Sequence, residues 1–165
     1  MALDKLIAVS EYMRSKYPAH LDRDGKPCPG IKLRLNTNGL GDLINKRSIA
    51  KEVCQAVDIV SISLNMPDAK SYNEVVRPAY GEKAFDAMLK FAQDCKKYTE
   101  NVKFTVVDCI GEENVEKSRK VDREAWNSAE STGVYGGIKL RKKRHQCRCI
   151  IKSVGDTFKC ALDYL

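Results

Sequence analysis

No apolar run in this 165-residue chain comes near the ~20 residues of a membrane-spanning helix, so no transmembrane segment is expected. Glycine and proline are sparse, at 10 and 5 residues, which excludes collagen-like and linker-dominated composition. Histidine occurs only twice, and neither His20 nor His145 stands in a pattern with a nucleophile. A Ser/His or Cys/His hydrolase is therefore not expected. No C-x-x-C pair exists among the seven cysteines. Their odd number, and an N-terminus with no basic segment leading into an apolar one, predict reduced thiols in a cytoplasmic protein. Gly39-Leu40-Gly41 follows a strand pattern, but Ile44 stands where a dinucleotide fingerprint needs its third glycine. These glycines read as a turn and a helix start.

What is present describes one domain with an uneven charge. Hydrophobic residues make up 43% and charged residues 31%, enough to bury a core and to exclude wholesale disorder. The net charge is +7, of which residues 122–165 carry +4 and residues 1–121 only +3. The basic run from Lys139 to His145 is of the kind found in nucleic-acid-binding arms, although a solvated basic stretch has the same composition. His145, Cys147, Cys149 and Cys160 could be zinc ligands or simply thiols of a tail, and their spacing matches no usual zinc pattern.

Residues 1–121 alternate helical and extended periodicity. Leu3, Leu6, Ile7 and Met13 share one helical face, which ends at Tyr17-Pro18. His20 to Gly30 reads as a polar loop. Ile31 to Asn36 alternates apolar and polar, as a strand with one buried face does. A helical stretch through Ile44, Ile49, Val53 and Val57, a strand 59–64, a short helix from Asp68, a longer one around Phe85 and Met88, a strand 102–108 and a helix opened by Gly111-Glu112-Glu113 complete the series. Strands separated by helices imply an α/β fold with parallel pairing. Ligand sites in such folds lie beyond the carboxyl ends of the strands. Here those ends are Asn36-Thr37-Asn38-Gly39, Ser63-Leu64-Asn65 and Asp108-Cys109, polar residues that also serve as ordinary caps and turns.

The runs I-K-L-R-L-N-T-N-G (31–39) and V-S-I-S-L-N (60–65), then Y-N…R-P…G-E-K-A-F (72–85), F-A-Q-D-C-K-K-Y (91–98) and V-V-D (106–108), resemble the radical SAM proteins associated with TatD-type nucleases. The resemblance covers about residues 2–121. It implies a partial (β/α) barrel, S-adenosylmethionine and a [4Fe-4S] cluster as cofactors, hydrogen abstraction from a substrate, and a TatD-type nuclease as partner. It further implies that Asn36 lies near the ribose, that Thr37 and Asn38 beside it bind the cofactor, and that Ser63, Asn65 and Asp108 line the same mouth. Arg77 would hold a carboxylate or ribose oxygen, or else make a salt bridge at a helix start.

Two departures shape the expectation. The C-x-x-x-C-x-x-C cluster motif and the glycine-glutamate-proline turn are missing. The chain is therefore expected to begin partway into the barrel, to leave strand 31–36 at an edge, and to be inactive by itself. Beyond residue 121, D-R-E-A-W-N-S-A-E-S-T-G-V-Y-G stands where the family carries a strand. A one-base shift across these codons permits that strand, so residues 122–165 form either an out-of-frame basic tail or a hairpin turning at Gly155-Asp156. The alternative function is a non-enzymatic α/β module that binds nucleic acid through this tail.

Overall fold

The computed structural model describes residues 3–107, 110–127 and 139–141. Helix α1 (Leu3–Lys16) leads into a small hairpin, β1 (His20–Leu21) with β2 (Pro27–Cys28). Then come β3 (Arg34–Thr37), α2 (Gly41–Asn45), α3 (Ala50–Ala56), β4 (Ile59–Ser63), α4 (Ala69–Val76), α5 (Lys83–Lys96), β5 (Val102–Val107), α6 (Glu112–Asn127) and β6 (Lys139–Arg141). The fold is mixed α/β. Its main sheet is parallel, in the order β3-β4-β5-β6, so neighbours in sequence are neighbours in space and β3 lies at an edge.

Register explains the core. Leu35 pairs with Val60, and Val60 with Val102; Thr37 pairs with Ile62, and Ile62 with Phe104. Residues opposite one another in a sheet share a face, so one face carries the apolar rows. The helices cover that face. Trp126 of α6 stacks on Phe104 with ring centroids 5.2 Å apart, and Met88 of α5 and Ile62 both approach Gly39. Ile62, Phe104, Met88, Phe91 and Val53 are all fully buried.

Local chemistry sets the helix limits. Asp68 caps α4, accepting the Ser71 N–H at 2.9 Å. The helical stretch expected through residues 44–57 is two helices. Lys46 takes a left-handed φ of 53° and ends α2, and Asp42 then accepts the Ile49 N–H at 2.9 Å where α3 begins. The polar loop 20–30 contains the β1–β2 hairpin, closed by Asp22, whose carboxylate accepts the N–H groups of Asp24 and Lys26 at 2.9 and 2.8 Å.

Asp58 joins two layers. Its carboxylate accepts the Leu33 N–H at 2.7 Å and pairs with Arg14 of α1 at 3.1 Å. Burial opposes its ionisation, but the Leu33 N–H and the Arg14 guanidinium outweigh burial and hold its pKa below the ordinary 3.8. A carboxyl depressed in the fold stabilises above its unfolded value, and that stabilisation is lost as pH falls below it. Asp58→Ala is expected to cost about 1–2 kcal/mol at neutral pH. Urea unfolding followed by circular dichroism should show the gap from the parent protein narrowing at pH values below 3.8. A gap that stays constant into acid would contradict this role.

Residue 121, the expected boundary, falls inside α6. Asp122, Ala125 and Trp126 are 6%, 6% and 5% exposed, so the α/β unit extends at least to this turn. The expected hairpin around Gly155 and the His145–Cys160 cluster lie outside the described residues.

Candidate functional site: the polar face of the sheet

The face opposite the core helices carries a different chemistry. On β3, β4 and β5 the apolar positions alternate with Arg34 and Asn36, Ser61 and Ser63, and Lys103 and Thr105. Register lines these up. Asn36 pairs with Ser61 and Ser61 with Lys103, making one row across three strands. Ser63 pairs with Thr105, and Thr105 with Lys139, making the next. Parallel sheets are usually apolar on both faces because helices cover both. Two adjoining rows of polar side chains therefore distinguish this face: Ser61 and Thr105 are buried at its centre, and Arg34 and Asn36 are exposed along its β3 edge.

Hydrogen bonds order this face. The Arg34 guanidinium donates to the Ser61 hydroxyl at 2.7 Å. Ser61 has no exposed surface, and Arg34 itself is exposed. No described carboxylate pairs with Arg34. Thr105, 2% exposed, donates its hydroxyl to the Ile62 carbonyl at 3.3 Å. These bonds hold side chains in single orientations, the condition for a pre-formed binding surface.

The residues expected at the site divide. Asn36 and Ser63 lie on the polar face in adjoining rows. Thr37 points to the helix side and is buried, and its hydroxyl accepts the Gly39 N–H at 3.1 Å. The Asn38 side chain accepts the Leu40 N–H at 3.2 Å. Thr37 and Asn38 thus build the turn that ends β3. Asn65, half-buried, takes a left-handed φ of 59° just beyond β4. Arg77 ends α4 at φ 48°, is exposed, and donates Nε to the Glu74 carbonyl of its own helix at 3.4 Å. Asp108 lies outside the described residues.

Arg34, Ser61, Lys103 and Thr105 join the site without having been singled out from sequence. Their signal was the shared period of two in L-R-L-N, V-S-I-S and V-K-F-T.

Among the described residues, the cysteines do not converge on one centre. Cys28 is in β2, Cys54 in α3 and Cys95 in α5, and no three His, Cys, Asp or Glu side chains among the described residues are grouped to hold a metal ion. These three cysteines do not fit a [4Fe-4S] cluster, which needs thiolates converging on one centre. No described helix is long and apolar enough to cross a membrane. Comparison of the chain with models of protein families, with curated proteins and with solved structures finds no match.

Proposed function

We propose that this chain is a segment of a radical SAM (β/α) barrel, and that the polar face of its sheet takes the adenosyl portion of S-adenosylmethionine. The observation that carries the reading is topological. The strands follow one another in sequential order, and the packed helices lie on the face away from the aligned polar rows. Barrels of (β/α) units wind this way, whereas doubly wound sheets reverse their order at a switch point. Amide and hydroxyl side chains such as Asn36 and Ser63 are donors and acceptors suited to ribose hydroxyls. On this reading the chain's own sheet residues bind the nucleoside. The same resemblance makes a TatD-type nuclease its partner, and the scattered cysteines, odd in number, suit the cytoplasm as its compartment.

S-adenosylhomocysteine tests the reading, since it needs no cluster. Titration calorimetry of the full chain should give saturable binding, weakened about tenfold by Asn36→Ala, the effect of losing roughly 1.4 kcal/mol. Absence of saturable binding, or binding indifferent to both Asn36→Ala and Ser63→Ala, overturns it.

A second reading has one structural support. Lys139–Arg141, the start of the basic run, forms β6 in register with Thr105–Val107, which brings basic positions onto the sheet. If the chain binds nucleic acid through this run, affinity for a single-stranded oligonucleotide should fall steeply with salt, and neutralising Lys142, Lys143 and Arg144 should abolish it. Salt-independent binding rejects that alternative.

A further inference from the structure

We propose that Cys54 and Cys95 form a redox-active dithiol that closes into a disulfide joining α3 to α5. The inference is independent of the nucleoside reading, because the pair lies in the helix layer and not on the polar sheet face.

Geometry carries it. Helices α3 and α5 pack against each other. The Cys54 thiol donates to the Cys95 carbonyl at 3.6 Å, so the sulfur of one cysteine rests on the backbone of the other. A disulfide requires Cα atoms within about 7 Å, and a thiol seated on its partner's main chain brings the two residues into the neighbourhood where the helices need adjust only locally to close it. The third described cysteine, Cys28, is in the β1–β2 hairpin.

The two thiols are also unequal in the way that exchange chemistry uses. Cys54 is half-buried and Cys95 fully buried. A hydrogen bond from the Cys95 thiol lowers the pKa of Cys54 against the opposing effect of burial. That same bond, followed by burial, raises the pKa of Cys95. Only Cys54 is open to a disulfide in solution, and burial keeps the Cys95 thiol protonated until it is needed. Cys54 is the attacking thiol and Cys95 the resolving one.

Oxidised glutathione serves as the oxidant. The Cys54 thiolate attacks one sulfur of its disulfide, forming a Cys54–glutathione bond and expelling a glutathione thiolate, which takes a proton from water. Cys95 then loses its proton to solvent and attacks the Cys54 sulfur. The Cys54–Cys95 bond forms and the second glutathione leaves as a thiolate, which is protonated in turn. Two electrons pass from the dithiol to glutathione. The closed loop contains all of β4 and α4, and closing it restricts the unfolded chain.

The full chain, reduced and then equilibrated with oxidised glutathione, tests the proposal by tryptic mapping without reductant. Cys54 is the single cysteine of peptide 52–70 and Cys95 that of peptide 91–96, so the linked pair is unambiguous. The expected result is that cross-linked pair, with a midpoint of thermal unfolding raised by about 5–10 °C. Cys54→Ser should abolish both effects and Cys28→Ser neither. A stable glutathione adduct on peptide 52–70 with peptide 91–96 unmodified, a cross-link from either peptide to any other cysteine, or two unmodified peptides would each overturn it. The map of the unsubstituted chain decides the question even if a variant fails to fold.

Discussion

Trp126→Ala is expected to destabilise the protein by about 3–5 kcal/mol, the range for truncating a buried aromatic. Trp126 is the chain's single tryptophan and is 5% exposed. Contacts with three described residues hold it. Its ring stacks on Phe104 at 5.2 Å with planes 28° apart. Its indole N–H donates to the Asp122 carboxylate at 2.6 Å. The Lys96 ammonium lies 5.7 Å from its ring centre. Replacement by alanine opens a cavity over the middle of β5 and strands the Asp122 carboxylate, itself 6% exposed, without this donor. Trp126→Phe keeps the stacking and should lose about half as much. Urea unfolding followed by circular dichroism is the appropriate measurement, since the substitution removes the fluorophore. A loss under about 1 kcal/mol would mean that the last turn of α6 lies outside the cooperative unit. The fold would then end near residue 121, where the composition changes.

Gly39→Ala is expected to cost about 2–4 kcal/mol, from two independent sources. Gly39 sits at φ +76° between β3 and α2, a conformation that costs an L-residue about 1–2 kcal/mol. A Cβ there would also stand 2.9 Å from Met88 Cγ, 3.2 Å from Met88 Cα and 3.3 Å from Ile62 Cγ2. The thioether arm can turn aside, but the α5 backbone at Met88 cannot, so α5 must shift from the sheet. Gly25→Ala separates the two terms. Gly25 has the same φ of +76° with nothing within 4 Å of its Cβ position, so its substitution should show the backbone cost alone, about 1–2 kcal/mol. Equal losses at the two positions, measured by chemical denaturation, would remove the packing term and with it the argument for close approach of α5 at the strand end. Because Thr37 and Asn38 hold this same turn through Gly39 and Leu40, Gly39→Ala should also displace Asn36. A loss of S-adenosylhomocysteine affinity beyond that of a purely global destabiliser would connect the turn to the site.

The fold class was legible in sequence because its signals are local. Alternation in I-K-L-R-L-N marked a strand with one buried face, and Asp68 before A-K-S-Y marked a helix start. Glu112-Glu113 after Gly111 marked another, through carboxylates beside a helix N-terminus. The observed strands are shorter at their ends: β3 begins at Arg34, whereas the pattern begins at Ile31. Leu33 gives its N–H to the Asp58 carboxylate and its carbonyl accepts the Asp58 and Ile59 N–H groups, so the regular ladder starts only at Arg34. The β1–β2 hairpin was illegible because Asp22 closes it by side-chain bonds, with no apolar alternation in its two-residue strands. The break between α2 and α3 was illegible because Lys46 adopts a left-handed conformation that its residue type does not announce.

The candidate site shows the same division more sharply. The sequence by itself determined that three strands each carry polar groups at alternate positions, and that their carboxyl ends hold Asn, Thr and Ser. Only the tertiary structure decided which of these meet. A strand's period of two distinguishes its faces, but it cannot say which residue of the next strand lies opposite. The pairing of Asn36 with Ser61 and Lys103, and of Ser63 with Thr105, comes from register, which the helices set by burying Val60, Ile62 and Phe104 on the other face. That choice turned Thr37 inward to the turn and gathered Arg34, Ser61, Lys103 and Thr105 with Asn36 and Ser63. The packing of α3 on α5 likewise set the Cys54 thiol on the Cys95 carbonyl, between residues far apart in the chain. Contacts of this kind depend on how whole elements pack, and no window of sequence contains both partners.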